Sequence, residues 1–247
     1  MAKEAEIYHR LVRPLGIKAP EIFEYVQLKE SGVMVMEDAG EQNLEQHPLP
    51  IYFLEAAREL AILRAKATAN MDTRISKKVM NHYFLSKDHF IMLLDELLLS
   101  CKIVAPSVLL KLKHGFPRHL EKLYQTVPTT IIHHDFHAKN LLIQADGIMP
   151  IDWSSAYLSP HLGDLYCLVN EAHSSVGLSR EDILLAYLEV AADPMVQVNW
   201  QFQIGGLCWL IKTLHWLVYG GTDLIPGSEA WIPDLLKDVE VLYQEME

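Results

Sequence analysis

The sequence predicts an α+β chain of two unequal lobes, a small strand-bearing one at the N-terminal end and a large, mainly helical one after it. Three observations carry this reading. Two short runs, residues 21–29 and 32–36, have the character of an antiparallel strand pair. From residue 51 onward apolar residues return at helical spacing, beginning with Leu54, Ala57, Leu60, Ala61 and Leu63. Between these regimes lies a polar connector, residues 39–50, punctuated by Gly40, Asn43, Pro48 and Pro50. The natural division is therefore residues 1–40, a reduced N-terminal lobe with its hinge, and residues 41–247, a helical C-terminal lobe.

In chain order, residues 4–15 read as a helix brought to an end by Gly16 and Pro20. After the strand pair and connector come helices at 51–71, 85–99 and 108–124. Two apolar runs, 141–144 and 148–151, are separated by Ala145-Asp146-Gly147, a short-range hairpin signal. Helices at 163–171, 180–192, 196–219 and 231–247 complete the chain, with no internal repeat and no low-complexity tract.

The chemistry gathers around that hairpin. His133-His134-Asp135-Phe136-His137-Ala138-Lys139-Asn140 leads into it, and Ile151-Asp152-Trp153 leads out. Asn140 at the entrance and Asp152 at the exit can meet at one end of the ribbon, where an oxygen-ligand pair suits Mg²⁺. Asp135 has the spacing H-x-D-x-x-x-x-N of the protein-kinase catalytic loop, whose Asp accepts the proton of the attacking hydroxyl. The three residues read as base, metal ligand and metal ligand. A second reading is a metal-dependent hydrolase that uses His133, His134, Asp135 and His137 around a transition metal, although no second cluster with conventional ligand spacing accompanies them.

The chain resembles the aminoglycoside phosphotransferase and choline kinase superfamily of small-molecule kinases. The resemblance rests on His133-x-Asp135-Phe136-His137-x-x-Asn140, Ile151-Asp152-Trp153 and Gly163-Asp164-Leu165. It implies a protein-kinase-like two-lobed fold, ATP and Mg²⁺ as cofactors, and transfer of the γ-phosphoryl group to a hydroxyl of an aminoglycoside-, choline- or sugar-like acceptor. It also implies that Asp164 buttresses the catalytic loop, that His133 holds the loop by hydrogen bonds, and that His137 turns toward the phosphates or the substrate. Met34-Val35-Met36-Glu37-Asp38 looks like the last small-lobe strand running into the hinge. Backbone groups of Glu37 and Ala39 would then meet the adenine edge, with Leu142 and Ile151 beneath the ring. Lys3-Glu4-Ala5-Glu6-Ile7-Tyr8 looks like the family's regulatory helix, with Glu4 where relatives pair a phosphate-binding Lys.

Two departures qualify the match. Relatives carry three strands, a phosphate-covering loop and that Lys before this helix, whereas this sequence opens in the helix; Ala138-Lys139 also replaces the usual Pro-Gly. A two-strand remnant has unpaired edges, so the small lobe is expected either to pair with a second copy of the chain or to lie partly disordered. The missing parts leave open a degenerate kinase-like protein that binds a nucleotide or partner without turnover.

Composition agrees with a folded enzyme. Half of the 247 residues are hydrophobic, enough for a sizeable core. A net charge of −11 argues against nucleic-acid partners and anionic membrane surfaces, and suits either a cationic substrate or simple solubility. Cys101, Cys167 and Cys208 lie in apolar helical contexts and read as buried thiols of a reducing compartment. The charged start has no apolar signal core, and residues 204–218, which include Lys212 and His215, are too short for a membrane span, so cytoplasm is the expected location. Trp200, Trp209 and Trp216 are spaced for a helix core or for a pocket that attracts cations.

Overall fold

A computed structural model of the chain describes residues 2–29, 32–104 and 106–246. Helix α1, residues 2–15, includes a π turn over Tyr8–Val12. It stops at Gly16, whose φ of +71° is the left-handed conformation that glycine adopts without a Cβ penalty. Strands β1 (Ile22–Gln27) and β2 (Gly32–Met36) then pair antiparallel, with a bulge between Ile22 and Glu24.

This small lobe has no core of its own. Ile7, Leu11, Leu15 and Ile22 are buried against Leu63, Ala67 and Met71 of helix α2 (Pro50–Arg74), together with Trp153 and Leu158. Asn70 adds a hydrogen bond from its Nδ2 to the Leu15 carbonyl at 2.9 Å. Burial against the large lobe therefore holds α1 in place, while the outer face of the ribbon, with Phe23 and Val33, stays exposed.

The large lobe continues with α3 (Lys77–Tyr83), α4 (Lys87–Leu99), α5 (Ser107–Thr126), β3 (Thr130–Ile132), β4 (Leu141–Gln144), β5 (Gly147–Pro150) and β6 (Tyr157–Ser159). Helices α6 (Gly163–Val176), α7 (Arg180–Leu188), α8 (Met195–Trp216) and α9 (Ile232–Gln244) complete it. The expected helix end at Glu247 lies outside the described residues. Helix α3 and the β3–β6 pair are additions to the sequence reading. Ser76 and Ser86 start α3 and α4, each accepting the N–H three residues on, from Val79 and His89 at 3.3 Å.

One expectation about the cysteines is corrected. Cys167 and Cys208 are buried, but Cys101 is exposed, because it falls in the turn after α4 and past that helix's buried face. No described helix is long and apolar enough to cross a membrane.

Three features position the loop between β3 and β4. The β4–β5 hairpin forms, with Gly147 opposite Gln144, so Ala145-Asp146 alone make the turn. The connector lies along β4, joined by Leu44 N–H to the Leu141 carbonyl at 3.1 Å and Ile143 N–H to the Gln42 carbonyl at 2.9 Å. Helix α8 crosses the start of α6 at Gly205, where a Cβ would stand 2.5–2.7 Å from the backbone of Leu162 and Gly163. Only glycine permits that approach, and one turn later it brings Trp209 to the loop.

Candidate active site

The loop is built around one buried carboxylate. Asp164, in the first turn of α6, accepts the N–H groups of His133 at 2.7 Å and His134 at 2.8 Å. Burial pushes its carboxyl up, against the pull of the His133 ring and of these two donors. The pair of hydrogen bonds fixes a bend in which His134 takes a φ of +69°, uncommon for a residue with a side chain. Asp164→Ala is expected to destabilise the fold by roughly 2–5 kcal/mol in urea unfolding, since each stranded N–H costs about 1–3 kcal/mol. A loss below about 1 kcal/mol would show that the loop finds other partners.

The His133 ring is enclosed and uses both nitrogens. Nε2 donates to the Ile151 carbonyl at 2.9 Å and Nδ1 accepts from the Asp135 N–H at 3.3 Å, which assigns the neutral tautomer with its proton on Nε2. Burial, the largest cause, lowers its pKa, and Trp153 packs on it with ring centroids 4.5 Å apart. His133 thus ties the loop to the exit of the hairpin. His134 is half-buried, its ring near those of Tyr157 and Trp209, and Trp209 donates its indole N–H to the His134 carbonyl at 3.0 Å.

Asp135 is held from three sides. Asn140 Nδ2 donates to its carbonyl at 2.9 Å and to Oδ2 at 2.8 Å, His137 Nε2 lies 3.4 Å from Oδ1, and Lys139 Nζ lies 3.6 Å from Oδ2. With Nδ2 so engaged, Asn140 Oδ1 has no hydrogen bond among the described residues. Ile151 N–H bonds the Asn140 carbonyl at 2.9 Å across the base of the hairpin, which puts Asn140 and Asp152 at its entrance and exit. Asp152 has a φ of +58°, and its Oδ1 accepts from Ser154 Oγ at 2.6 Å. Glu4 reaches the same place from α1: burial raises its carboxyl, and the Asp152 charge raises it further. An amide oxygen and a carboxylate form a hard-oxygen pair that fits Mg²⁺, whose other positions are commonly filled by water and phosphate.

At the hinge, the Glu37 N–H bonds the Glu21 carbonyl at 2.8 Å and Gln144 Nε2 bonds the Ala39 carbonyl at 2.6 Å. Leu142 is buried on β4 and Ile151 is half-buried beyond β5. Ala39 thus lies by the turn end of the hairpin and Ile151 at its base.

On the Asp135 side a cleft of about 700 Å³ opens, walled by Asp135, His137, Glu171, Trp209, Lys212 and Trp216. Glu171 escaped the sequence reading. It accepts from the Ala138 N–H at 3.2 Å and pairs with His137 Nδ1 at 3.2 Å, a contact that holds its carboxyl below the usual range. The signal was its place seven residues after Asp164, two turns along the same face of α6. The tryptophans divide: Trp209 and Trp216 line the cleft, while Trp200 lies under Lys122, 4.4 Å from its ring centroid.

The transition-metal reading finds no geometry. Both nitrogens of His133 are committed, His137 is taken by Asp135 and Glu171, and among the described residues no three His, Cys, Asp or Glu side chains are grouped to hold a metal ion.

Comparison with known proteins agrees. The family profile described as "phosphotransferase enzyme family" matches residues 1–198. No curated protein sequence matches the chain. Among solved structures, a choline/ethanolamine kinase family protein from Mesorhizobium loti superposes with a TM-score of 0.66 at 18% identity, covering 99% of this chain and 81% of its own. An ADP-bound aminoglycoside phosphotransferase gives 0.57 at 19% identity over 98% and 80% of the two chains. An ethanolamine kinase of Plasmodium vivax gives 0.58 at 16% identity over 98% and 71%. These likenesses show the protein-kinase-like fold with its mainly helical large lobe. The profile match over most of the chain shows more: the protein belongs to the phosphotransferase enzyme family.

Proposed function

We propose that the protein transfers the γ-phosphoryl group of ATP, with Mg²⁺, to a hydroxyl group of a small molecule. One observation carries this: Asn140 holds the Asp135 carboxylate with its amide N–H, while its backbone carbonyl accepts the N–H of Ile151, the residue before Asp152. A proton acceptor and two oxygen ligands would thereby gather at the entrance and exit of one hairpin, with Asp135 facing the cleft. Solved neighbours containing ADP support nucleotide use.

Phosphoryl transfer asks the protein to position groups and balance phosphate charge rather than to form bonds. Asn140 and Asp152 would hold Mg²⁺, which neutralises charge on the phosphate oxygens. Asp135 aligns the substrate hydroxyl and accepts its proton. His137, fixed between Asp135 and Glu171, keeps that carboxylate in place. Asp164 and His133 hold the loop, and the adenine edge meets the Glu37 carbonyl and the Ala39 N–H, with Leu142 and Ile151 against the ring. Glu4, placed beside Asp152, completes the negative surround of the cation.

Calorimetry with Mg-ATP tests the reading. Binding that disappears with EDTA, followed by ADP release in the presence of a hydroxyl acceptor, is the expected result. Binding without transfer to any acceptor would favour the alternative of a nucleotide-binding protein without turnover; no binding would sink both.

The reduced ribbon also carries the expectation of a second copy. Phe23, Val26, Val33 and Val35 are 63%, 43%, 50% and 48% exposed, and pairing two ribbons would cover them. Sedimentation velocity is expected to show a dimer that Val33→Lys weakens. A monomer at all concentrations removes the idea.

A further inference from the structure

The cleft wall opposite Asp135 holds a cation without a counter-charge. Lys212 extends from α8 into the cleft, with Nζ 5.1 Å from the centroid of the Tyr157 ring. Among the described residues it makes no hydrogen bond and no ion pair. The groups that face it are imidazoles and another cation: His89 of α4, His134 of the loop, His161 after β6, and Lys3 of α1. Burial depresses all three imidazoles and so favours their neutral form, and a neutral ring is no counter-ion for the ammonium. Burial, aided by Lys3, also lowers the Lys212 ammonium to about 8, which still leaves most of it charged at neutral pH.

A half-buried ammonium without a partner is unfavourable, and removing it from the fold would relieve that cost. Its cleft position gives it a use. Of the carboxylates that line the cleft, Asp135 lies on the loop, Glu45 on the connector and Glu171 on α6, and the loop's Lys139 is drawn to Asp135 at 3.6 Å, while Lys212 stands on the α8 wall between Trp209 and Trp216 with no carboxylate paired to it among the described residues. The cleft is therefore divided by charge, and a purely cationic alcohol would meet an unpaired like charge at one end.

We propose that Lys212 is a specificity residue that binds an anionic group of the acceptor, so that the acceptor is a small hydroxy acid whose carboxylate meets Lys212 while its hydroxyl meets Asp135. This deepens the kinase reading and rests on it for the role of the hydroxyl. The overall charge of −11 does not bear on it, because the sign of one wall is set locally.

Saturation-transfer NMR and calorimetry without nucleotide read acceptor binding directly, using glycerate and L-serine against glycerol and ethanolamine, which lack the carboxylate. The parent is expected to bind the carboxylate-bearing pair about tenfold or more tightly, and Lys212→Met to lose that preference while Lys212→Arg keeps most of it. Mg-ATP affinity is expected to stay within about twofold in both variants. A parent that prefers glycerol and ethanolamine, or that binds no carboxylate member, overturns the proposal without any variant being made. So does a Lys212→Met protein that keeps the preference. A tenfold loss of Mg-ATP affinity in Lys212→Met would assign the ammonium to the nucleotide phosphates instead and also overturn it. Failure of the parent to bind Mg-ATP would count against the kinase reading alone, because the acceptor arm needs no nucleotide.

Discussion

Asp135→Asn is expected to lower kcat about 10²–10⁴-fold while the Kd for Mg-ATP stays within about twofold. The substitution preserves volume and lets the new amide oxygen accept the Asn140 Nδ2 bond that Oδ2 accepts at 2.8 Å. The loop keeps its shape. What disappears is the carboxylate oxygen at the cleft, which in the proposed mechanism takes the hydroxyl proton. Nucleotide affinity is spared because the oxygen pair at Asn140 and Asp152 is untouched. Coupled ADP release against acceptor concentration separates kcat from KM, and calorimetry gives the Kd. Equal turnover in the two proteins removes Asp135 from the mechanism; a large rise in Kd would instead place it among the nucleotide ligands.

The loop was legible because its chemistry is contiguous. His133, Asp135, His137 and Asn140 lie within eight residues, and the turn at Ala145-Asp146 fixes where Asp152 returns. The long helices were legible because periodicity needs length: the stretch read at 51–71 is Pro50–Arg74, and the one at 108–124 is Ser107–Thr126. Strands β3 and β6 had no such signal. Each has three residues and every one is buried, so no alternation distinguishes them from a core segment. Helix α3, seven residues long, gives too few turns for a stripe, although Ser76 marks its start.

Residues brought to the site from afar were harder. Glu171 meets His137, 34 residues away, and Lys212 meets Tyr157, 55 residues away, and the crossing of α6 and α8 at Gly205 helps to make them part of one cleft. Trp200 and Trp209 look alike along the sequence, yet one faces Lys122 and the other faces His134. Spacing identifies a helical face. It does not say what that face meets.

The second large effect is expected at Asp152. Asp152→Ala should weaken Mg-dependent nucleotide binding by about 100-fold or more, roughly 2.7 kcal/mol, because the cation loses its carboxylate and keeps only the Asn140 oxygen from the hairpin. The fold should tolerate the change better than it tolerates loss of Asp164. Asp152 is exposed, and its side-chain bonds go to Ser154 next to it, worth about 0.5–1.5 kcal/mol each. Removing its charge also relieves Glu4, whose carboxyl the Asp152 charge helps to raise. Against this stands the backbone: a φ of +58° suits Asp or Asn better than Ala, because a short polar side chain can hydrogen-bond locally in the left-handed region. Asp152→Asn is therefore the sharper variant. It keeps the turn and the Ser154 contact and removes only the charge, so its thermal unfolding should match the parent while Mg-ATP binding falls nearly as far as in Asp152→Ala. If the Asn protein binds Mg-ATP as the parent does, Asp152 serves the turn and the cation is held elsewhere. If binding falls in the Ala protein alone, the backbone conformation at this position matters more than the carboxylate.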